Sequence, residues 1–465
     1  MTHLSTGNLI AATGGTAVVT GDRAITAGVT TDSRAIAPGC VFVALCGERF
    51  DGNCFAAEAS RKGAAAVVVS RVEGEFAPGC TVVQVQDTLT ALQSLAAWWR
   101  EQLEPLAVVG LTGSSGKTST KDMCLSVLSQ KFRALATKGN LNNHIGVPLS
   151  ILSTPEGTEA AIWEMGMNHA GELAPLCGMT RPRIGIITTI GSAHMEYLGS
   201  REAIAEEKCT VARALPTDGY MIYPAHDDFA GYIAAQTTGI PLPVGGQDCA
   251  VRALNPRSTA TGTTYTLHID GQEEVEIALP VPGAHMVSNS LLAAAAGWKL
   301  GCTPQQIAAG LSAATLTHGR LACRQVDGYI VVDDTYNANP ESMKAALETV
   351  AALKDARRCI AVLGKMGELG TGGIAAHADM GRCAAELGYA AVVVVGAACA
   401  ETEALCNAAA EKIQARRVDT PAEAADILKS LMQPGDALLF KGSRSAGMER
   451  TMYELFPSLN PKQSS

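Results

Sequence analysis

An α/β protein with mostly parallel sheets, in about three domains at roughly 150 residues each, is the architecture that this sequence of 465 residues predicts. Beyond the length, two observations carry that reading. Short apolar runs rich in Val, Ile and Ala alternate with helix-compatible stretches, the pattern of βαβ units. One such run, LAVVGL at 106–111, passes directly into a Gly-rich loop and then a helical segment.

Three blocks follow along the chain. In the first, CVFVAL (40–45), AAAVVV (64–69) and TVVQV (81–85) read as strands, with helical patterns near 54–62 and 88–100, a small α/β unit. REQLEP at 100–105 is a polar turn ending in Pro105 and marks its boundary. The second block has strands at 106–111, 160–165, 184–190 and 220–223, each ending in Gly, polar or His-bearing sequence. Within it TTYTLHID, then GQ, then EEVEIALPV resembles a hairpin, and a helix rich in Ala and Leu is expected at 287–298. The third block begins near His318-Gly319-Arg320, with strands at 329–335, 358–364, 389–396 and 436–442. Asn339-Pro340-Glu341 supplies a cap and a first-position proline for its first helix. Domain spans of 1–103, 104–317 and 318–465 are therefore expected.

Composition excludes several function classes. With 36 Lys and Arg against 45 Asp and Glu, the net charge of −9 argues against nucleic acid or an anionic membrane as the main partner. Basic residues are scattered without an aromatic stripe, so no nucleic-acid platform is expected. Apolar residues at 47% and charged residues at 17% suit sizeable cores. The start, MTHLSTGNLIAATGG, lacks a basic region and a continuous apolar one, so a secretory leader is not expected. No run is long enough for a membrane span, and YAAVVVVGAACA at 389–400 reads as a buried strand and turn. Fourteen cysteines without a CxxC pair fit buried thiols in a reducing cytoplasm. The sequence also lacks a Gly-x-Ser-x-Gly elbow and an H-E-x-x-H pair.

The strongest chemical signal is VVGLTGSSGKTSTKD. Backbone N–H groups of Gly113, Ser114, Ser115 and Gly116 with a helix N-terminus can hold phosphate oxygens; Lys117 adds charge and the Thr118 hydroxyl suits magnesium. Leu111 stands where the full phosphate-loop pattern has Gly, and the plainer reading is a Ser/Gly turn with a helix cap. Glu164 ends the strand AAIWEM and offers an oxygen ligand for a hard dication, or a solvated carboxylate at a sheet rim. His194 follows another strand and could ligate metal, bond phosphate or cap a helix. Lys208 lies in a helical segment, where a lysine is ordinarily solvated. Asp333 and Asp334 end YIVV on opposite strand faces, so at most one aims at a common ligand. ALLFKGSRSAGMER sends a strand into Lys441, Ser443 and Arg444, donors for a carboxylate or acyl phosphate or an ordinary basic rim.

Taken together, TGSSGKTSTKD, KGNLNNHIGVP, EMGMNHAGE, ITTIGSAHMEYLGS, HGRL, VVDDTYNANPESM, LGKMGELG and LFKGSRSAGME resemble the bacterial Mur ligases over nearly the whole chain. TDSRAIAPGCVFVALCGERFDG at 31–52 resembles that family's nucleotide-sugar-binding segment. The resemblance implies a small N-terminal α/β domain for a UDP-muramoyl peptide, a central P-loop ATPase and a C-terminal Rossmann-like domain. It implies an ATP- and magnesium-dependent peptide ligase working through an acyl phosphate. Within the family, DDTYNANPESM and KGSRSAGME imply UDP-N-acetylmuramoyl-tripeptide and D-alanyl-D-alanine as substrates. Lys117, Glu164, His194 and Lys208 are then catalytic; Thr118 and Glu164 serve magnesium, and His194 with a carbamylated Lys208 (N6-carboxylysine) serves a second ion. Asn289, Arg320, Asp334 and Asn337 would contact ATP with residues 113–118. Ser33, Arg34, Asn142, Asn143, His144, Lys441, Ser443 and Arg444 would face the peptide substrates. A cytoplasmic monomer is expected. The chain departs from the family pattern at His144, Thr189, Cys209-Thr210 and Met286. Competing readings are a folylpolyglutamate-type ligase and a non-enzymatic P-loop regulator.

Overall fold

The computed structural model describes residues 4–48, 50–353 and 355–461. Two compact units are present, one of residues 1–110, 132–167 and 171–183, the other of residues 111–131, 168–170 and 184–465.

In the first unit a five-stranded sheet runs in the order Thr16–Val19, Thr81–Gln84, Ala66–Val69, Val41–Val43, Val29–Thr30. All neighbours are parallel except Thr16–Val19, which is antiparallel to Thr81–Gln84. Val41–Val43 and Ala66–Val69 are buried at every residue, which explains their unbroken apolar sequence. The expected helices are Asn53–Arg61 and Thr88–Gln102; Asp87 caps the latter by accepting a hydrogen bond from Thr90 N at 2.6 Å. Thr6–Thr13, a helix capped by Ser5 and ended by Gly14, occupies a stretch whose small apolar runs carry no clear period.

A six-stranded sheet has the order Ile240–Val244, Tyr220–Pro224, Ile184–Ile187, Ala107–Thr112, Ala160–Glu164, Ala134–Ala136. Ala107–Thr112 opens into the 113–116 turn, from which the helix Lys117–Leu128 starts. The expected hairpin is part of a three-stranded antiparallel sheet, Val251–Thr259, Gly262–Ile269 and Val275–Leu279. Its second connection is wider than the two residues GQ, because Leu267 pairs with Val275 and the strands end at Ile269 and Val275.

The last sheet is ordered Ala322–Val326, Tyr329–Asp334, Ala437–Lys441, Cys359–Leu363, Ala391–Val395, Gln414–Val418. Only Ala322–Val326 pairs antiparallel. The chain's final strand is thereby inserted between two earlier ones, with Lys441 in register with Asp334 on one side and Leu363 on the other. Ala391–Val395 is buried throughout, and no helix among the described residues is long and apolar enough to cross a membrane. All fourteen cysteines are free thiols, with Cys46 and Cys54 the exposed ones.

Two glycines let other helices approach the Lys117–Leu128 helix closely. A Cβ at Gly310, on Pro304–Ser312, would lie 2.5 Å from Val127 Cα, and one at Gly297, on Ala284–Lys299, 2.5 Å from Val127 Cγ1. Ser126 Oγ donates to Gly310 O at 2.6 Å across the first contact. Gly310→Ala is therefore expected to destabilise the protein by about 1–3 kcal/mol through overpacking. A lowered urea midpoint at unchanged slope checks this.

Candidate active site

The turn after Ala107–Thr112 is held open by its backbone. Gly113 has φ +149°, and a Cβ there would meet Thr188 Oγ1 at 1.9 Å; Gly116, at φ +81°, precedes the helix. Ser114 N donates to Thr189 O at 2.9 Å and Ser115 N to Thr189 Oγ1 at 3.0 Å. Thr188 Oγ1 donates to Ser115 O in a short contact. Ser115 Oγ exchanges hydrogen bonds with the Asn339 amide at 2.9 and 3.0 Å. Lys117 Nζ donates to Gly113 O at 2.6 Å, folding the ammonium over the turn it would serve. Thr118 Oγ1 accepts from Arg320 Nη2 at 3.1 Å.

The loop carrying His194 is held from several sides. Gly191 N donates to Ser114 Oγ at 2.9 Å and Ile190 N to Asp227 Oδ2 at 2.9 Å. Glu341, in the first turn of the helix Pro340–Ala351, accepts from Ser192 N at 2.8 Å and from Ser192 Oγ at 3.1 Å. His194 has φ +67°, and its Nδ1 lies 2.7 Å from Glu368 Oε2. The imidazole holds the Glu368 carboxyl below its ordinary value, against the opposing effect of burial. Lys208, by contrast with an ordinary helix lysine, is 1% exposed. Burial first, and then the charge of Lys117, push its amine well below the usual lysine range.

Strand insertion builds the other wall. Lys441 Nζ makes a short ion pair with Asp334 Oδ2 and donates to Asn337 O at 3.1 Å. Burial pulls the Lys441 amine down while the Asp334 charge opposes it. Asp334 Oδ1 accepts from Leu321 N at 3.1 Å, positioning the segment that carries Arg320. Asp333 turns away, accepting from Thr335 N at 3.2 Å and Thr335 Oγ1 at 2.7 Å, so the two carboxylates do diverge. The Arg320 guanidinium lies 4.1 Å from the Tyr336 ring centroid. A cavity of about 150 Å³ is lined by Ser114, Ser115 and Gly116, by Asn289 and Met286, and by Arg320, Asp334, Asn337 and Lys441. Asn289 stands against the turn, since a Cβ at Gly116 would lie 2.7 Å from its Oδ1. His285 shares this cavity, and burial lowers its imidazole to about 4.

Beyond Lys441, Ser443 is buried with its Oγ 3.1 Å from Ser445 Oγ, while Arg444 is exposed and pairs with Glu449 at 3.1 Å. In the other unit, Glu164 is 2% exposed and its Oε1 accepts from Asn142 Nδ2 at 2.8 Å. Asn143 Oδ1 accepts from Gly146 N at 2.8 Å, and His144 O from Gln93 Nε2 at 3.1 Å. Arg34 is exposed and makes a two-pronged contact with Asp32 at 2.8 and 2.9 Å; Ser33 O accepts from Lys62 Nζ at 3.1 Å. Sequence reasoning missed Thr188, His285, Glu341 and Glu368 as site residues. Glu368 lies in the quoted LGKMGELG segment, which was the available signal.

Three family models match the chain in succession: the catalytic domain of the Mur ligase family over residues 26–100, the Mur ligase middle domain over 111–297, and the Mur ligase, glutamate ligase domain over 319–444. The UDP-N-acetylmuramoyl-tripeptide--D-alanyl-D-alanine ligase of Escherichia coli K12 is 38% identical over 434 residues, covering 92% of this chain and 93% of that protein. The protein of the same name from Bacillus subtilis 168 is 36% identical over 444 residues, covering 94% of each. A crystal structure of MurF from Acinetobacter baumannii superposes with a TM-score of 0.87 at 33% identity, covering 97% of this chain and 98% of that one. The MurF ligase from Thermotoga maritima in complex with ADP superposes with a TM-score of 0.83 at 27% identity, covering 95% and 99%.

The Asp334–Lys441 pair makes a prediction independent of turnover. Lys441→Met leaves a largely buried carboxylate unpaired and is expected to cost about 3–5 kcal/mol, most of it recovered in Lys441→Met with Asp334→Asn. Chemical denaturation of the two variants checks this; equal losses in both would show that the charge is compensated elsewhere.

Proposed function

The chain belongs to the Mur ligase family, and from that premise we propose which of its residues carry out the reaction. It has the three-domain α/β fold of that family and is an ATP-dependent ligase that joins D-alanyl-D-alanine to UDP-N-acetylmuramoyl-tripeptide in peptidoglycan synthesis. The observation that carries the nucleotide-site assignments is one cavity to which the phosphate turn, Arg320, Asp334 and Lys441 all contribute.

In this reading ATP lies with its phosphates on the N–H groups of 113–116 and the start of the Lys117–Leu128 helix. Asn289 and Asn337 contact the adenine, Arg320 reaches ribose and phosphate, and Asp334 fixes Lys441. The terminal carboxylate of the tripeptide attacks the γ-phosphorus; the bond from that phosphorus to the bridging oxygen breaks, and ADP leaves. Lys117 and Arg320 offset the charge that accumulates. The amine of D-alanyl-D-alanine then attacks the acyl carbon and gives up a proton, and the carbon–oxygen bond breaks to release phosphate. We assign 1–103 to the UDP-muramoyl peptide, with Ser33, Arg34, Asn142, Asn143 and His144 as its contacts. Residues 104–317 serve ATP, and 318–465 complete the nucleotide and amine sites, with Lys441, Ser443 and Arg444 toward the dipeptide. We place the protein in the cytoplasm as a monomer.

Magnesium suits the donor chemistry: the Thr118 hydroxyl and the Glu164 carboxylate are hard oxygen donors. When bound, it neutralises phosphate oxygens during transfer. Among the described residues no three His, Cys, Asp or Glu side chains gather into a metal-binding group. A second ion at His194 would take an oxygen donor, which an unmodified lysine does not offer. Lys208 fits through its chemistry: a buried amine with a depressed pKa adds to carbon dioxide, forming an N–C bond and releasing a proton, and becomes an anionic carbamate.

Phosphate release and product mass, measured with ATP, magnesium and the tripeptide nucleotide bearing L-lysine or meso-diaminopimelate, test the reading. Release is expected with D-alanyl-D-alanine and not with a single amino acid. Release independent of any acceptor would favour a regulatory nucleotide switch. Lys117→Ala is expected to lower kcat by roughly 10²–10³-fold, the scale of one lost charge-stabilising donor. Lys208→Ala is expected to be inactive, and the unmodified enzyme, stripped of carbonate, to regain activity with bicarbonate. Full activity of Lys208→Ala without a bicarbonate response would remove the carbamate from the scheme.

A further inference from the structure

Glu368 belongs to none of the roles assigned above, yet the structure directs it at one of them. It lies between the strand Cys359–Leu363 and the helix Gly373–Glu386, on a loop tied down from behind. Buried His377 accepts from Met366 N at 2.8 Å through Nε2, so its proton is on Nδ1, which donates to Gly373 O at 2.7 Å. Lys365, on the same loop, pairs with Glu401 of the helix Ala400–Ala410 at 2.8 Å. The front of the loop abuts the His194 segment. Glu196 N donates to Glu368 O at 3.2 Å, and a Cβ at Gly370 would lie 3.3 Å from Glu196 Cα. Glu368 and His194 are both non-glycine residues in the left-handed region, at φ +60° and +67°. Such conformations persist where surrounding structure over-determines them, and they cluster at functional sites. His194 Nδ1 is buried, and the Glu368 carboxylate lies 2.7 Å away without the alignment of a hydrogen bond.

We propose that Glu368 is a positioning residue for His194: its carboxylate keeps the ring proton on Nδ1 and leaves Nε2 as the nitrogen that meets the ligand. The proposal rests on the reading of His194 as a ligand-facing residue. A histidine that binds through one nitrogen ordinarily has the other fixed by a carboxylate or carbonyl, and losing that partner costs about 10- to 100-fold in affinity or activity. Glu341, holding Ser192 two residues earlier, fixes the backbone of the same loop, so Glu368 is left to fix the ring.

Ring ¹⁵N–¹H spectra of the full-length protein, with His194 assigned by difference against His194→Asn, read the tautomer without turnover. Wild type is expected to hold the Nδ1–H form, Glu368→Gln to retain it in large part, and Glu368→Ala to shift toward Nε2–H. In the same variants, phosphate release dependent on D-alanyl-D-alanine is expected to fall roughly 10- to 100-fold for Ala and less for Gln. The Glu368 side chain is 45% exposed and the pair adds little to stability, so both variants are expected to fold. An unchanged His194 tautomer in Glu368→Ala, or wild-type turnover of that variant, would overturn the proposal. Failure of wild type itself to release phosphate would instead count against the ligase reading, because the tautomer is measured independently.

Discussion

The arrangement depends on how closely two pieces of backbone approach at the end of one strand. Gly113 faces Thr188 with no space for a side chain; the carbonyl and hydroxyl of Thr189 accept hydrogen bonds from the turn that follows, and the Thr188 hydroxyl donates one to it. That contact directs the turn and fixes the start of the Lys117–Leu128 helix, whose packing against two neighbours relies on Gly297 and Gly310. A residue with a side chain at 113 would force the turn and the His194-bearing loop apart. The steric requirement of one glycine is therefore upstream of both the phosphate cradle and the histidine.

A second constraint is topological. Inserting Ala437–Lys441 between Tyr329–Asp334 and Cys359–Leu363 places residues 107 and 78 positions apart in register. Lys441 consequently finds Asp334, and Asp334 in turn orders the segment of Arg320. The division of labour between adjacent carboxylates follows from strand geometry: Asp334 faces the cavity, and Asp333 satisfies itself locally on Thr335.

Much of this was legible in the sequence, and the rest was not, for physical reasons. The central strands announce themselves because burial on both faces demands unbroken apolar runs, as in Val41–Val43, Ala66–Val69 and Ala391–Val395. Among the strands that went unread are Ala134–Ala136, Ile240–Val244, Ala322–Val326 and Gln414–Val418. Each lies at the margin of its sheet, where partial exposure removes the apolar signal. The phosphate turn, Asp334, Asn337 and Lys441 could be named because strand ends meet helix starts there. The partners of Glu341 and Glu368 could not, since they lie 149 residues away in the first case and on a different loop in the second. The Asn339 cap was readable, but its bond to Ser115 was not, because local sequence reports a cap and not its additional partner.

Those same marginal strands have a bearing on how the molecule behaves in a crowded solution. Gln414–Val418 presents Gln, Arg and Arg on the last strand of its sheet, and Ala322–Val326 carries Arg324 and Gln325 on the first. Free backbone donors and acceptors there would recruit strands from other copies if the flanking side chains were apolar. Exposed Arg416, Arg324 and Gln325 at those borders keep water on the strands and disfavour such pairing. The short, valine-rich interior strands such as Ala391–Val395 are thus flanked by borders that resist edge-to-edge pairing between copies.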